Sequence, residues 1–446
     1  MNQTMNMTRG KPLGLLFRFA LPLMFGNIFQ QLYAVVDTAI VGQGVGMDAL
    51  AALGGVDWLN WMMLGLIQGF TQGFSVRIAQ KFGEGDEKGM KAFMGQSAVL
   101  AVALALLCML IGQATLPLCI RLLRIPADLA PISTRYSRII MGGLPGVMLY
   151  NYCSAALRAV GNSKTPLTAM AVASVTNILL DLVAVFVLHW GVTGAAIATV
   201  ISQLLAGCIC LWKLLQTSQL RFSKEDLRPQ RERIGNLLGI GIPAAAKNMI
   251  IAVGGMAVTM VVNGFGTAFI AGFTASNKLY GLLEIAAISY GYAITTYVGQ
   301  NYGAMRFDRI RSGMKAATGL AICTALLIGG LMFLFGRSIT MLFISAEDPA
   351  LVAQAGEFAY RYLCVMAAFL PVLYLLYLFL SALQGLGDTV RPMNSGIVEL
   401  IMRVAISLLV GYTGYASGIF GAEVAAWIGA AGYLLYHYLK RIRREV

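Results

Sequence analysis

Histidine is almost missing from this 446-residue chain: only His189 and His437 occur, each at the end of an apolar segment. A histidine-based metal centre or a Ser-His-Asp triad therefore cannot be assembled. Charge is scarce too, with 12% charged residues against 58% hydrophobic and a mean hydropathy of +0.73. A soluble domain of this length could not bury so much apolar surface, so the solvent is lipid. The seven cysteines, Cys108, Cys119, Cys153, Cys208, Cys210, Cys323 and Cys364, show no paired ligand spacing and read as small core residues. Gly161 and Gly387 lack the Gly-Lys-Ser/Thr sequence of a phosphate loop, which argues against ATP-driven chemistry. No Ser-Lys pair lies in the membrane either, so the chain is expected not to be an enzyme and to need no cofactor. A short apolar region followed by a small-residue cleavage site is missing at the N-terminus, and no signal peptide is expected.

What the chain has in quantity is apolar runs. A spanning helix needs roughly 20 apolar residues, and twelve such stretches lie near 13–42, 48–75, 92–118, 132–157, 166–188, 191–214, 234–263, 268–300, 312–338, 350–383, 392–412 and 418–439. The first six resemble the last six. ALRAVGNSKTP at 156–166 returns as ALQGLGDTVRP at 382–392, and GVTGAAIATVIS at 191–202 returns as GIFGAEVAAWIG at 418–429. Pro22 matches Pro243, Gly83 matches Gly303, and Gly-Met-Lys-Ala occurs at 89–92 and again at 313–316. The expected fold is thus an all-α polytopic membrane protein with 12 transmembrane helices in two six-helix lobes, residues 1–214 and 234–446. A polar linker at 215–233 joins them. An even helix number per half makes the repeats parallel, related by a pseudo-two-fold axis along the membrane normal, as in duplicated transporters with a substrate site between the halves.

The net charge of +13 is divided among short loops, so it forms no contiguous face for nucleic acid. Its sidedness is informative. The N-terminal side collects Arg9, Lys11, Arg18, Arg77, Lys81, Lys88, Lys91, Arg158, Lys164, the linker cations Lys213, Arg221, Lys224, Arg228, Arg231 and Arg233, then Arg306, Arg309, Arg311, Lys315 and Arg391, and the tail Lys440, Arg441, Arg443 and Arg444. The other side has at most Arg121, Arg124, Arg135, Arg138, Arg337 and Arg361. By the positive-inside rule both termini are expected in the cytoplasm, with the chain multi-pass in the inner (plasma) membrane. Gly69 and Gly73 make a small-x-x-x-small pattern suited to close helix packing, a pattern common by chance.

Ionisable residues inside a bilayer need a partner or a water-filled cavity. The first half places Asp37, Asp57 and Asp181 deep in apolar segments with no interior base; the second has Lys247, Lys278 and Arg403 against Glu284, Glu399 and Glu423. A lone carboxylate in low dielectric either keeps a proton or recruits a cation. Asp37 lies about five residues, roughly 8 Å, from the far end of its helix. Asn177, Asp181 and Thr199 fall at similar depth on their own helices. Asn27, Gln30 and Asp37 share one stripe of the first helix, and Ser174, Asn177 and Asp181 one stripe of the fifth, by three-four spacing. Asp37, Asn177, Asp181 and Thr199 are therefore the candidate ion site. Their carboxylate, amide and hydroxyl oxygens suit Na⁺, and equally a carboxyl pair sharing a proton; the structural alternative is hydrogen bonds that bridge helices. Asn27, Gln30, Tyr33, Asp57, Asn151 and Glu284 are candidate lining residues of a substrate cavity. Glu399 and Arg403, spaced i, i+4, read as a structural ion pair. At the positions of Asp37, Asn177, Asp181 and Thr199 the second half carries Thr259, Arg403, Ser407 and Ala426.

Leu-Pro-Leu-Met at 21–24, QQLYAVVDTAIVG at 30–42, ALRAVGNSKTP at 156–166, GAAIAT at 194–199 and VGQNYGA at 298–304 together resemble the multidrug and toxic compound extrusion (MATE) family, over essentially the whole chain. The resemblance implies a secondary antiporter that exports small amphipathic organic cations and drugs in exchange for H⁺ or Na⁺ by alternating access, in membrane lipid and as a monomer. Its first-lobe ion site would fall on Asp37, Asn177, Asp181 and Thr199. Some branches place coupling acids on helices 7 and 10; here helix 7 offers Lys247, and helix 10 offers Glu357 only near its outer start. The alternative within transport is a lipid-linked oligosaccharide flippase of the same wider superfamily, which a strongly cationic cavity would favour.

Overall fold

Lipid offers the backbone no hydrogen bonds, so a spanning segment must satisfy its own amides as helix. The computed structural model describes residues 4–123, 125–341, 344 and 349–444, and among these it contains helices and no strand. In chain order the helices are α1 Pro12–Gly44, α2 Met47–Gly54, α3 Asp57–Glu84, α4 Glu87–Leu122, α5 Ala130–Gly142, α6 Leu144–Ala159, α7 Lys164–Leu182 and α8 Gly191–Gln216. They continue as α9 Arg231–Val262, α10 Thr267–Leu283, α11 Ile285–Gly303, α12 Phe307–Met341, α13 Pro349–Gly385, α14 Val390–Thr413 and α15 Phe420–Arg444. Arg124, counted above among the cations of the less basic side, lies outside the described residues.

Every expected apolar stretch is helical, but three that read as continuous are broken. Nine of the described helices are long and apolar enough to cross a membrane, or ten if the pair α2 and α3, bent by 43°, counts as one span. That bend follows Gly54 and Gly55, which cost helix stability. The stretch expected at 132–157 divides at Gly143 into α5 and α6. Pro145 supplies no amide hydrogen there, and a Cβ on Gly143 would lie 2.4 Å from Val200 of α8. The stretch at 268–300 divides at Glu284, which ends α10 and begins α11. Hydropathy averages over such breaks and so cannot register them.

Two compact units result: Met1–Met7 with Leu21–Ala246, and Thr8–Ala20 with Lys247–Val446. Their limits fall inside α1 and α9, within a few residues of the internal prolines Pro22 and Pro243. In the first unit α6 packs on α3 and α8, and α7 on α8; in the second, α13 is surrounded by α10, α11, α12 and α15. Leu110 on α4 and Leu326, Leu327 and Leu334 on α12 are between 61% and 76% exposed, an apolar exterior that only lipid can cover. The seven cysteines are all free. Cys108, Cys153 and Cys210 are core residues as expected, whereas Cys208 and Cys323 face outward.

Small residues set the helix spacing. A Cβ on Gly69 would lie 2.4 Å from the Cα of Ala245, and one on Gly73 would lie 2.8 Å from the Cα of Gly241, so α3 and the N-terminal part of α9 touch backbone to backbone within the first unit. In the loop between α3 and α4, Asp86 caps α4 by accepting from the Gly89 amide at 2.8 Å, and the Lys81 ammonium lies 3.1 Å from the same carboxylate. The amide and the ammonium hold the Asp86 carboxyl below its ordinary range.

Gly69→Ala is accordingly expected to lower the thermal unfolding midpoint of the detergent-solubilised protein, with an overpacking cost of about 1–3 kcal/mol. Gly235→Ala, at an exposed position of α9 with nothing within 4 Å of the added methyl, should leave the midpoint unchanged or raise it. Equal midpoints for the two variants would show that α3 and α9 are not in tight contact.

Candidate functional site

Three helices of the first unit bring the predicted ion site together. Along α1, Phe29, Tyr33 and Asp37 succeed one another at four-residue spacing and so lie on one face. Two hydrogen bonds fix its neighbours: Ser174 Oγ on α7 donates to the Phe29 carbonyl at 3.2 Å, and Gln203 Nε2 on α8 donates to Tyr33 Oη at 3.2 Å. Asp181 is seven residues beyond Ser174 on α7, and Asp37 eight beyond Phe29 on α1, so the two acids arrive at one level. Their carboxyl groups face each other within hydrogen-bonding range. On α8 the chain runs the other way, and Thr199, one turn before Gln203, reaches that same level. Asn177 lies one turn before Asp181 on the buried face of α7.

Several of the polar atoms gathered there are left without a partner. Asp181 is fully buried and Asn177 nearly so. Asp37 Oδ1, both oxygens of Asp181, both polar atoms of the Asn177 amide and Thr199 Oγ1 are buried with no hydrogen-bond partner. Ser202 Oγ, three residues past Thr199 on the same helix, is in the same condition. Two facing carboxylates have only acceptors to offer, so the pair needs either a shared proton or a cation between its oxygens. No group of three or more His, Cys, Asp or Glu side chains able to hold a metal occurs among the described residues. A cation here would therefore rest on two carboxylates completed by neutral oxygens of Asn177, Thr199 and Ser202, a hard-oxygen set suited to Na⁺ and without the nitrogen or sulfur that transition metals prefer.

Backbone irregularity marks the same place. α7 loosens at Val183–Val187 into a π-helical turn directly after Asp181, with Leu188 donating to the Val183 carbonyl at 2.9 Å. Such turns interrupt α-helices frequently at functional sites. The end of α1 packs on this turn, where a Cβ on Gly44 would lie 2.4 Å from Val185.

The other candidates divide. Tyr33 belongs to the cluster, within electrostatic reach of both acids. Asp57 is not buried deep in a helix as the apolar run suggested: the break at Gly55 puts it in the first turn of α3, exposed, yet within electrostatic reach of Asp37. Asn27 and Gln30 lie further back along α1, both half-buried. Asn151 on α6 donates to its own helix at Val147. Glu284 belongs to the second unit and accepts from Tyr377 Oη at 3.1 Å; Lys278, expected as a buried partner, is exposed. Glu357 is a surface residue paired with Arg361 at 2.8 Å. Sequence reasoning passed over Ser202, Gln203 and Tyr136. The first two could have been found by their three- and four-residue spacing from Thr199. Tyr136, within electrostatic reach of Asp37, Asp57 and Asp181, comes from α5, and no spacing along the chain relates it to α1 or α7.

Known proteins share this architecture. The MatE family profile matches residues 22–183 and again 243–409, once in each half. Among curated proteins, the probable multidrug resistance protein YpnP of Bacillus subtilis is 29% identical over 425 residues, covering 95% of this chain and 91% of its own length. The FAD transporter of Shewanella oneidensis is 23% identical, covering 98% and 96%. Among solved structures, a MOP-superfamily transporter from Pyrococcus furiosus superposes with a TM-score of 0.92 at 22% identity, covering 99% of this chain and 98% of that one. An outward-facing multidrug resistance MATE transporter superposes with a TM-score of 0.91 at 22% identity, covering 98% of each chain. The solved structures fix the twelve-span MATE fold, and with both halves matched by one profile the protein belongs to the MatE family of membrane transporters.

Proposed function

We propose that the protein is a secondary antiporter that exports amphipathic, cationic small molecules in exchange for H⁺ or Na⁺ by alternating access. The observation that carries this reading is the facing pair Asp37 and Asp181, in which Asp37 Oδ1 and both oxygens of Asp181 are buried without a hydrogen-bond partner among the described residues. Such a pair is stable only with a guest, and a guest that leaves on one side and enters on the other can drive transport. The name of YpnP points to drugs as cargo, whereas that of the Shewanella protein points to an anionic dinucleotide. We assign the cationic cargo on charge: the first unit's cluster is acidic, and in the second Glu284, Glu399 and Glu423 outnumber the buried bases Lys247 and Arg403. The same balance weighs against a lipid-linked pyrophosphate, which calls for a cationic receptor. The distribution of Lys and Arg supports a multi-pass placement in the inner membrane with both termini cytoplasmic.

Purified protein in liposomes loaded with a fluorescent cationic dye should move dye when a Na⁺ or an H⁺ gradient is imposed alone. The gradient that works identifies the coupling ion. Dye movement under neither gradient would overturn the reading.

Asp37→Asn and Asp181→Asn should each reduce gradient-driven dye transport at least ten-fold while expression is kept. Neutralising a buried acid that has no donor should hold or raise the unfolding midpoint, the usual exchange of function for stability. The double variant should transport no worse than either single one, since residues acting as one unit are not additive. Full coupled transport by either variant would remove the pair from the mechanism.

A cysteine introduced at Lys440, in a background with the native cysteines replaced, should be labelled by a membrane-impermeant thiol reagent only in inside-out vesicles. Labelling in right-side-out vesicles would reverse the topology.

A further inference from the structure

The second unit contains the counterpart of the ion site, and it is already filled. The repeats at 156–166 and 382–392 place Arg403 opposite Asn177, Ser407 opposite Asp181 and Glu399 opposite Ala173. Those at 191–202 and 418–429 place Glu423 opposite Ala196. Arg403 is 4% exposed and Glu399 3%. The guanidinium donates from Nε to Glu423 Oε1 at 3.0 Å and from Nη2 to Glu423 Oε2 at 2.8 Å, a two-pronged contact, and from Nη2 to Glu399 Oε2 at 3.1 Å. The acids do not occupy equivalent positions: the first unit's stand on α1 and α7, where the second has Thr259 and Ser407, and the second unit's stand on α14 and α15, the counterparts of α7 and α8, around the position of Asn177. In the first they face each other with no cation, and in the second a cation on the protein's own chain sits between them.

Neighbouring groups keep that cation in place. Trp427 stacks on Tyr280 at 5.8 Å and Phe420 on Tyr362 at 5.0 Å, walling the cluster with rings. Gly254 of α9 makes room for the arginine stem: a Cβ there would lie 3.3 Å from Arg403 Cδ. Lys247 and Glu284 add one base and one acid to the surroundings.

We propose that Arg403 is a tethered cation that permanently occupies the second unit's version of the ion site, and that it thereby limits the protein to one exchangeable coupling site. A guanidinium cannot be deprotonated in a protein and cannot leave its chain, so this half has no vacancy for a driving ion. The inference rests on the reading of Asp37 and Asp181 as that exchangeable site, and its test separates the two.

The experiment counts cations bound per purified protein in detergent, Na⁺ by equilibrium dialysis with the radioactive ion and H⁺ by uptake in weak buffer. Wild type should bind one and Arg403→Asn, which installs the first half's residue, should bind two. In the Asp37→Asn/Asp181→Asn background the count should be zero, rising to one when Arg403→Asn is added. Arg403→Lys keeps a tethered charge and should leave the wild-type count unchanged. If Arg403→Asn does not fold, Arg403→Asn/Glu399→Gln leaves one acid, Glu423, at the emptied position and should still gain one cation. An unchanged count in folded Arg403→Asn, or a second cation that survives neutralisation of both Glu399 and Glu423, overturns the proposal. A cation still bound in the Asp37→Asn/Asp181→Asn background sinks the first-unit reading alone, because the comparison of Arg403→Asn with wild type remains decisive by itself.

Discussion

A charge taken out of water must be answered, and the interior of this protein is arranged by how each buried charge finds its answer. In the second unit Arg403 is held by Glu423 and Glu399 at 2.8–3.1 Å, so the cluster is largely closed within the chain. In the first unit Asp37 meets Asp181, and among the described residues no hydrogen-bond partner reaches Asp37 Oδ1 or either oxygen of Asp181. The Coulomb and desolvation terms involved are several kcal/mol per ion in a low-dielectric interior. They exceed any single packing contact.

The packing around this site differs from that of α3 and α9. Hydrogen bonds from Ser174 to Phe29 and from Gln203 to Tyr33 connect α7 and α8 to α1, whereas α3 and the start of α9 meet backbone to backbone through Gly69 and Gly73. Directly beyond Asp181 the helix relaxes into a π turn on which the end of α1 rests. A change of charge at Asp181 is therefore applied where the helix is least regular, next to α1 and not deep in the Met- and Ala-rich core of α3, α4 and α6. α1 also carries Pro22 near the limit between the two compact units, a point at which the i to i−4 hydrogen-bond ladder is interrupted.

Duplication explains the family resemblance and the asymmetry together. One profile matches each half, so the helices themselves are shared. Among the many differences between the halves, those that change buried charge include Asn177 against Arg403, Asp181 against Ser407 and Ala196 against Glu423. Backbone architecture is kept by small residues and helix length, which many sequences satisfy.

The sequence by itself determined the solvent, the number of apolar stretches, the duplication and the buried acids. Each depends on composition or on spacing along one chain, and a helix converts that spacing into a face. The stripe of Asp37 on the first helix and that of Asn177 and Asp181 on the fifth were legible for this reason. Only the tertiary structure decided that Asp57 begins a helix instead of lying within one, because the bend at Gly55 is local geometry that an averaged hydropathy does not record. It also decided that Lys278 faces outward while Glu423 turns in to hold Arg403, and that Tyr136 stands beside the two acids. These pairings join residues from different helices. Their distances are set by how helices pack, through contacts such as that of Gly143 with Val200, and no periodicity within a single segment contains that information.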